Sequence, residues 1–193
     1  MRGLRASLLV GLGALALAGC TLVSPNATPQ RIAPSKLHAF GLLNKTIPDT
    51  NGARVRFITQ PVYIVDVTRH LAPSSRIVPS PPALATVIEQ LLLGPSAIEK
   101  SAGYSSALPK SLALLSAGVR REVGTIDFAT SLDALSRSQR LLAVGQLVLT
   151  AYDVGATRGV VIKVAGVVQH IELPNGTTTT LATARDFESL LND

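Results

Sequence analysis

LLLGPSAIEKSAGYSSALP, Leu91–Pro109, starts as the end of an amphipathic helix and finishes as a proline-punctuated loop. Upstream of it, ALATVIEQLLL sets Leu84, Val87, Ile88, Leu91 and Leu92 at helical spacing, which gives one apolar face. Ser80 is placed to cap this helix, and the Pro81-Pro82 pair suits its first turn. Gly94-Pro95 stops it, because glycine accepts the left-handed conformation of a helix end and proline cannot continue the ladder. Ser96 to about Ala102 is expected to form a further short helical turn.

Working outward, RVRFITQPVYIVDV (54–67) is rich in β-branched and aromatic residues and reads as a strand. Pro61 cannot donate to a ladder, so this strand is either at an edge or split there. Arg76-Ile77-Val78 offers a short second strand. Beyond Pro109, LALLSAGVRREVGTIDFAT has the pattern of a hairpin that bends near Arg120-Arg121-Glu122. Thr130 or Ser131 is expected to cap the next helix, SLDALSRSQRLLAVGQLVLTAY. Its stripe runs through Leu135, Leu142, Gly145, Leu149 and Tyr152, with Leu132, Leu141 and Val148 alongside, and Gly145 would permit close packing. RGVVIKVAGVVQHIEL predicts a second hairpin turning at Ala165-Gly166, and the amphipathic ATARDFESLL follows. The resulting order, β-α-β-β-α-β-β, predicts an α/β (α+β) two-layer sandwich: a small mixed sheet with two main helices.

The opening stretch is more specific than a generic helix end. It resembles the GerMN (sporulation and spore germination) domain family, in which a helix closes on Leu-Leu-x-Gly-Pro and a glycine precedes a Thr/Ser-x-Leu/Ile-Pro element. Here these fall on Leu92-Leu93-Gly94-Pro95, Gly103 and Ser106-Ala107-Leu108-Pro109. VYIVD, GTIDFAT, GQLVLTAYDVGATRGVVIKVAG and LATARDF are similar to further family elements, so the resemblance covers roughly Val55 to Phe187. One departure is Ala165-Gly166, where the family usually carries Asp-Gly. The resemblance implies a non-enzymatic module related to the ring-building domains of sporulation assemblies. It also implies a lipoprotein acting in envelope assembly, in spore-related roles or beside a membrane sensor kinase.

The chain opens MRGLRASLLVGLGALALAGC. Arg2 and Arg5 precede the apolar run Ala6–Leu17, which has the length of a signal-peptide core. A spanning helix would need about 20 apolar residues. Leu17-Ala18-Gly19-Cys20 resembles the lipobox of bacterial lipoproteins, where cleavage falls between Gly19 and Cys20 and the thiol takes a diacylglycerol. The expected organisation is a removed signal peptide at 1–19, a lipidated cysteine with a flexible tether at 20–53, and the GerMN-like domain at 54–193. Two or three acyl chains would hold the protein to the outer side of the cell membrane, where one would hold only marginally.

Removing 19 of 193 residues leaves 174, without the chain's one cysteine except as the anchor, so neither a disulfide nor a thiolate metal site is expected. The full chain has 18 basic and 12 acidic residues; losing Arg2 and Arg5 leaves an excess of four, too weak and scattered for nucleic acid. GLGALA imitates a dinucleotide fingerprint, but it lies in the signal peptide and precedes no βαβ unit, so no cofactor is expected. His38, His70 and His170 have no metal-ligand spacing, and no GxSxG elbow occurs. Asp66, Asp127, Asp133, Asp153 and Glu172 are the carboxylates that could pair on a glycan; Asp127 is expected to point outward from its strand. No residue is assigned a catalytic role.

Three readings follow. A docking or assembly module would present an exposed apolar patch or a free edge, at the Pro61 strand or the mixed face of Val160–Val164. A peptidoglycan-binding or peptidoglycan-hydrolysing protein would gather carboxylates in a cleft. A small-ligand carrier would need a deep pocket. Four Phe, three Tyr and no Trp count against an aromatic sugar platform. The expected partners are membrane lipid through Cys20 and another envelope protein, with peptidoglycan as the alternative.

Overall fold

The first strand runs straight through its proline. In the structure, a computed structural model that describes residues 55–191, β1 (Phe57–Val65) pairs antiparallel with β2 (Leu71–Pro79), with Pro61 opposite Ser75. The Asp66 N–H donates to the His70 carbonyl (2.9 Å) and the Ser80 N–H to the Arg56 carbonyl (2.8 Å). The ladder bonds therefore fall on even-numbered residues of β1, and the missing N–H of Pro61 points away from β2. The strand is unsplit and at an edge. On its free edge, the N–H of Tyr63 donates to the Thr150 hydroxyl (3.0 Å) and that of Val65 to the Ser105 carbonyl (2.9 Å).

β2 is longer than Arg76-Ile77-Val78, because Pro73, Ser74 and Ser75 sit within the ladder. Ser80 does not cap the helix that follows. Its N–H closes the first hairpin, and α1 (Leu84–Leu92) starts from Ala83 without a side-chain cap. The expected apolar face holds: Leu84, Val87, Ile88 and Leu91 are buried. Gly94, at φ +73°, ends α1 and donates to the Leu91 carbonyl. α2 (Ala97–Ser101) follows, closed by a reciprocal capping box between Ser96 and Glu99.

β3 (Leu114–Arg120) and β4 (Val123–Phe128) form the expected hairpin, bending at Arg121 and Glu122, both left-handed. The next helix, α3 (Arg137–Asp153), begins later than Thr130 or Ser131 would place it, capped by Ser136 with Gln139. The intervening residues make a separate turn, Leu135 N–H to Leu132 carbonyl (3.0 Å), that buries Leu132. α3 crosses back so that β5 (Gly159–Val164) lies parallel to β4, with Ile126 beside Ile162. A turn at Ala165-Gly166 (φ +48° and +82°) leads into β6 (Val167–Val168), as the spacing predicts. The mixed sheet thus runs β3-β4-β5-β6. β7 (Ile171–Glu172) and β8 (Thr178–Thr179) add a minor hairpin, and a 3₁₀ helix spans Ala184–Leu190.

The fold class is the mixed α/β arrangement expected, with α1 and α3 as its main helices, although the first strand is itself a hairpin. α3 differs most from its predicted single stripe. Every residue from Leu142 to Ala151 is buried, because β1 and the 3₁₀ helix pack on the helix as well as β5 and α1. Gly145 is the contact point: a Cβ there would lie 2.7 Å from Leu71 Cδ1 and 3.2 Å from Phe187 Cδ1. Gln146, fully buried, is satisfied at both ends. Its oxygen accepts from the Ala107 N–H (2.8 Å), and its amide donates to the Tyr63 carbonyl (2.8 Å). The expected signal peptide, Gly19, Cys20, the tether to 53 and His38 lie outside the described residues. No helix among the described residues is long and apolar enough to cross a membrane.

Candidate functional site

The carboxylates picked out by type go to four different places. Asp66 sits at the bend of the β1–β2 hairpin and accepts from the Thr68 N–H (2.8 Å), the Thr68 hydroxyl (2.7 Å) and the His70 N–H (2.9 Å). The bond from the His70 backbone leads the effects holding its carboxyl below the usual range. His70 Nδ1 lies 3.0 Å from the Thr68 hydroxyl, so this group secures a turn. Asp127 points to the outer side of β4 and accepts from the Gly166 N–H (3.1 Å), pinning the Ala165-Gly166 turn.

Asp133 and Glu172 do converge. They flank Arg140, at 3.9 and 4.0 Å, and Arg137 pairs with Glu172 at 2.5 Å. With His170 they rim a cleft of about 320 Å³ at the carboxyl ends of β4 and β5, floored by Phe128, Val144 and Ile162. Two carboxylates bridged by a guanidinium make an ion-pair network, whereas a general acid needs a carboxyl set apart from positive charge. No group of three or more His, Cys, Asp or Glu among the described residues could hold a metal ion.

Asp153 lies elsewhere, at the end of α3, in a cleft of about 510 Å³ with Tyr63, Tyr152, Arg185 and Glu188. Burial, then the charge of Asp153 and hydrogen bonding to it, push the Tyr63 hydroxyl up. Burial also raises Asp153, against the opposing effect of the tyrosine's hydrogen bond. Sequence reasoning missed this cleft, since Tyr63 and Tyr152 come from distant elements.

The outer face of the β1–β2 hairpin groups exposed apolar side chains. Phe57, Thr59, Pro61 and Tyr63 lie on it opposite Pro79, Ile77, Ser75 and Pro73. Near the bend this face is covered, where Leu71 meets the region of Gly145 and Leu191 forms a bridge with Leu71. Away from the bend no described residue covers it: Phe57 is 63% and Ile77 73% exposed, with Val55 beside them at 62%. The Pro61 strand is thus where an apolar surface emerges. At the other place expected, the mixed face of Val160–Val164, β4 and β6 pair with β5 on both sides, and Val161 and Lys163 on that face are half-buried.

The motif glycines and prolines shape the backbone. Gly103 has φ +87°, and a Cβ there would lie 2.4 Å from Val67 Cγ1, while the Pro109 carbonyl accepts from the Leu112 N–H (3.0 Å).

Residues 49–169 match the family described as Germane, sporulation and spore germination. Among solved structures, the tandem GerMN domains of the sporulation protein GerM from Bacillus subtilis align with a TM-score of 0.52 and 14% identity. That alignment covers 68% of this chain and 48% of the other, so this chain spans about half of the tandem protein. The first GerMN domain of the same protein aligns with a TM-score of 0.50 and 15% identity, over 66% of this chain and 98% of that domain. These likenesses show a shared fold. No curated protein matches the chain in sequence.

Proposed function

The chain belongs to the Germane family of sporulation and spore germination, and from that premise we propose that it is a lipid-anchored, non-enzymatic envelope protein whose domain docks another envelope protein. Cys20 carries the lipid after cleavage behind Gly19, and the domain stands outside the cytoplasm on the bacterial cell membrane. Its process is envelope assembly, a sporulation-like programme or signalling beside a membrane sensor kinase. The observation that carries the docking reading is the uncovered outer face of the first hairpin, where Phe57 and Ile77 are mostly exposed among prolines. Apolar side chains grouped on one exposed face mark an interaction surface better than scattered ones do. The Arg140 network supports the non-enzymatic reading, since it occupies the only two sequence-selected carboxylates that meet among the described residues.

Two variants test this. Cys20→Ala should move the protein from the membrane to the soluble or precursor pool, and unchanged partitioning would remove the anchor from the account. The double variant Phe57→Ser/Ile77→Ser should fold normally and lose its co-purifying protein partner. Retention of that partner would sink the docking face.

A further inference from the structure

The cleft between Tyr63 and Tyr152 combines features that the docking reading does not use. The chain has three tyrosines and no tryptophan, and two of the three line this one cleft. Tyr152 is 44% exposed, while Tyr63 is partly buried in the same cleft as Asp153. Around the rings stand two carboxylates, Asp153 and Glu188, and one guanidinium, Arg185, above an apolar floor that includes Leu149 and Leu191. At about 510 Å³ the cleft falls inside the range of small-ligand sites, about 300–1,000 Å³.

From this composition we infer that the cleft binds a saccharide unit of a neutral, hydroxyl-rich glycan. A pyranose has apolar C–H faces and a hydroxyl rim. The faces match tyrosine rings, and the hydroxyl of the more exposed Tyr152 can hydrogen-bond the rim. The rim matches fixed acceptors and donors, which Asp153, Glu188 and Arg185 supply together. Two acidic groups against one basic group disfavour a phosphate or other anion, which needs a cationic cradle. The same guanidinium disfavours a polycation. A peptide would need a free strand edge or an apolar slot, and those features lie on the outer face of the first hairpin instead. Partial burial of Tyr63 limits the freedom of its ring before a ligand arrives, which lowers the ordering cost of binding. Scarcity of aromatic residues in the whole chain is therefore no argument against a sugar site, because the fold collects the few it has.

The test is saturation-transfer NMR on the full chain in detergent, with β-1,4-linked N-acetylglucosamine tetrasaccharide and cellotetraose as probes and inorganic phosphate as the anionic control. At least one neutral oligosaccharide should receive saturation and phosphate should not. Tyr152→Ala should weaken that binding by at least about tenfold, and circular dichroism should show the variant still folded, since the ring is 44% exposed. Asp153→Asn should weaken it too, and Phe57→Ser/Ile77→Ser should leave it intact. Failure of the docking reading would then show only as a partner retained by the last variant, separately from the sugar result. Silence from both oligosaccharides, phosphate binding in this cleft, or equal binding by folded Tyr152→Ala would each overturn the inference.

Discussion

Replacing Glu99 with glutamine tests how α2 is held to the first hairpin. Burial pushes the Glu99 carboxyl up, but bonds from Arg76, Ser74 and Ser96 outweigh it and hold the group at about 2 against an ordinary 4.5. Arg76 reaches it through two parallel contacts of 3.0 Å, and the side chains are only 14% and 17% exposed. At about 1.4 kcal/mol per pH unit, that depression corresponds to about 3 kcal/mol. Glu99→Gln keeps the size, yet presents at least one N–H to a guanidinium that can only donate. The expected loss at pH 7 is about 2–3 kcal/mol, somewhat below the 3–5 typical of breaking a fully buried pair. In urea, with a slope of about 1.5 kcal/mol per molar, the midpoint should fall by about 1–2 M. Because the folded state lowers this carboxyl's pKa, its contribution is complete above about pH 4.5 and is lost as pH falls toward 2. The gap between the two proteins should therefore close across that window. An equal gap at pH 7 and pH 2 would refute the electrostatic reasoning and assign the loss to packing or to the cap.

Four further substitutions probe the backbone and core by denaturant unfolding. Gly103→Ala should cost about 2–4 kcal/mol, combining a left-handed backbone with a methyl 2.4 Å from Val67, whereas Gly94→Ala meets no atom closer than 4.0 Å and should cost only about 1; equal losses would contradict the contact geometry. Ala165→Asn should stabilise by about 0.5–1 kcal/mol, since asparagine tolerates φ +48° better than alanine; a loss of stability would show that this turn holds no backbone strain to relieve. Gln146→Leu should destabilise by about 2–4 kcal/mol, because it strips partners from the Ala107 N–H and the Tyr63 carbonyl. A neutral result there would mean that both groups find new partners.

Local signals were legible wherever neighbours in sequence also decide the structure. Gly94-Pro95 and the Ala165-Gly166 turn depend on backbone conformations that glycine adopts readily, and both are readable from residue type, whereas the bend at Arg121-Glu122 shows only in the apolar pattern on either side of it. The cap of α3 was local too, in Ser136 and Gln139, yet it was read too early because Thr130 and Ser131 are also good capping residues. β2 was only partly legible, since Pro73, Ser74 and Ser75 are turn formers held extended by their ladder with β1. What could not be read was long-range. The complete burial of α3 depends on the first hairpin folding over it, and no window of the sequence contains both. The same holds for the two clefts: Asp133 reaches Glu172 only through Arg140, and Tyr63 reaches Asp153 only because β1 runs beside α3. The apolar outer face was legible in its location, at the Pro61 strand, but its extent required knowing that β2 doubles it.

The central claim, that this face docks another protein, is tested most directly by a photo-crosslinking amino acid placed at Ile77 in the anchored protein in living cells, with the exposed Glu89 of α1 as the control position. One dominant protein adduct from Ile77, absent from Glu89 and abolished by Phe57→Ser, is the expected result. No adduct from Ile77, or the same scatter of adducts from both positions, would contradict it.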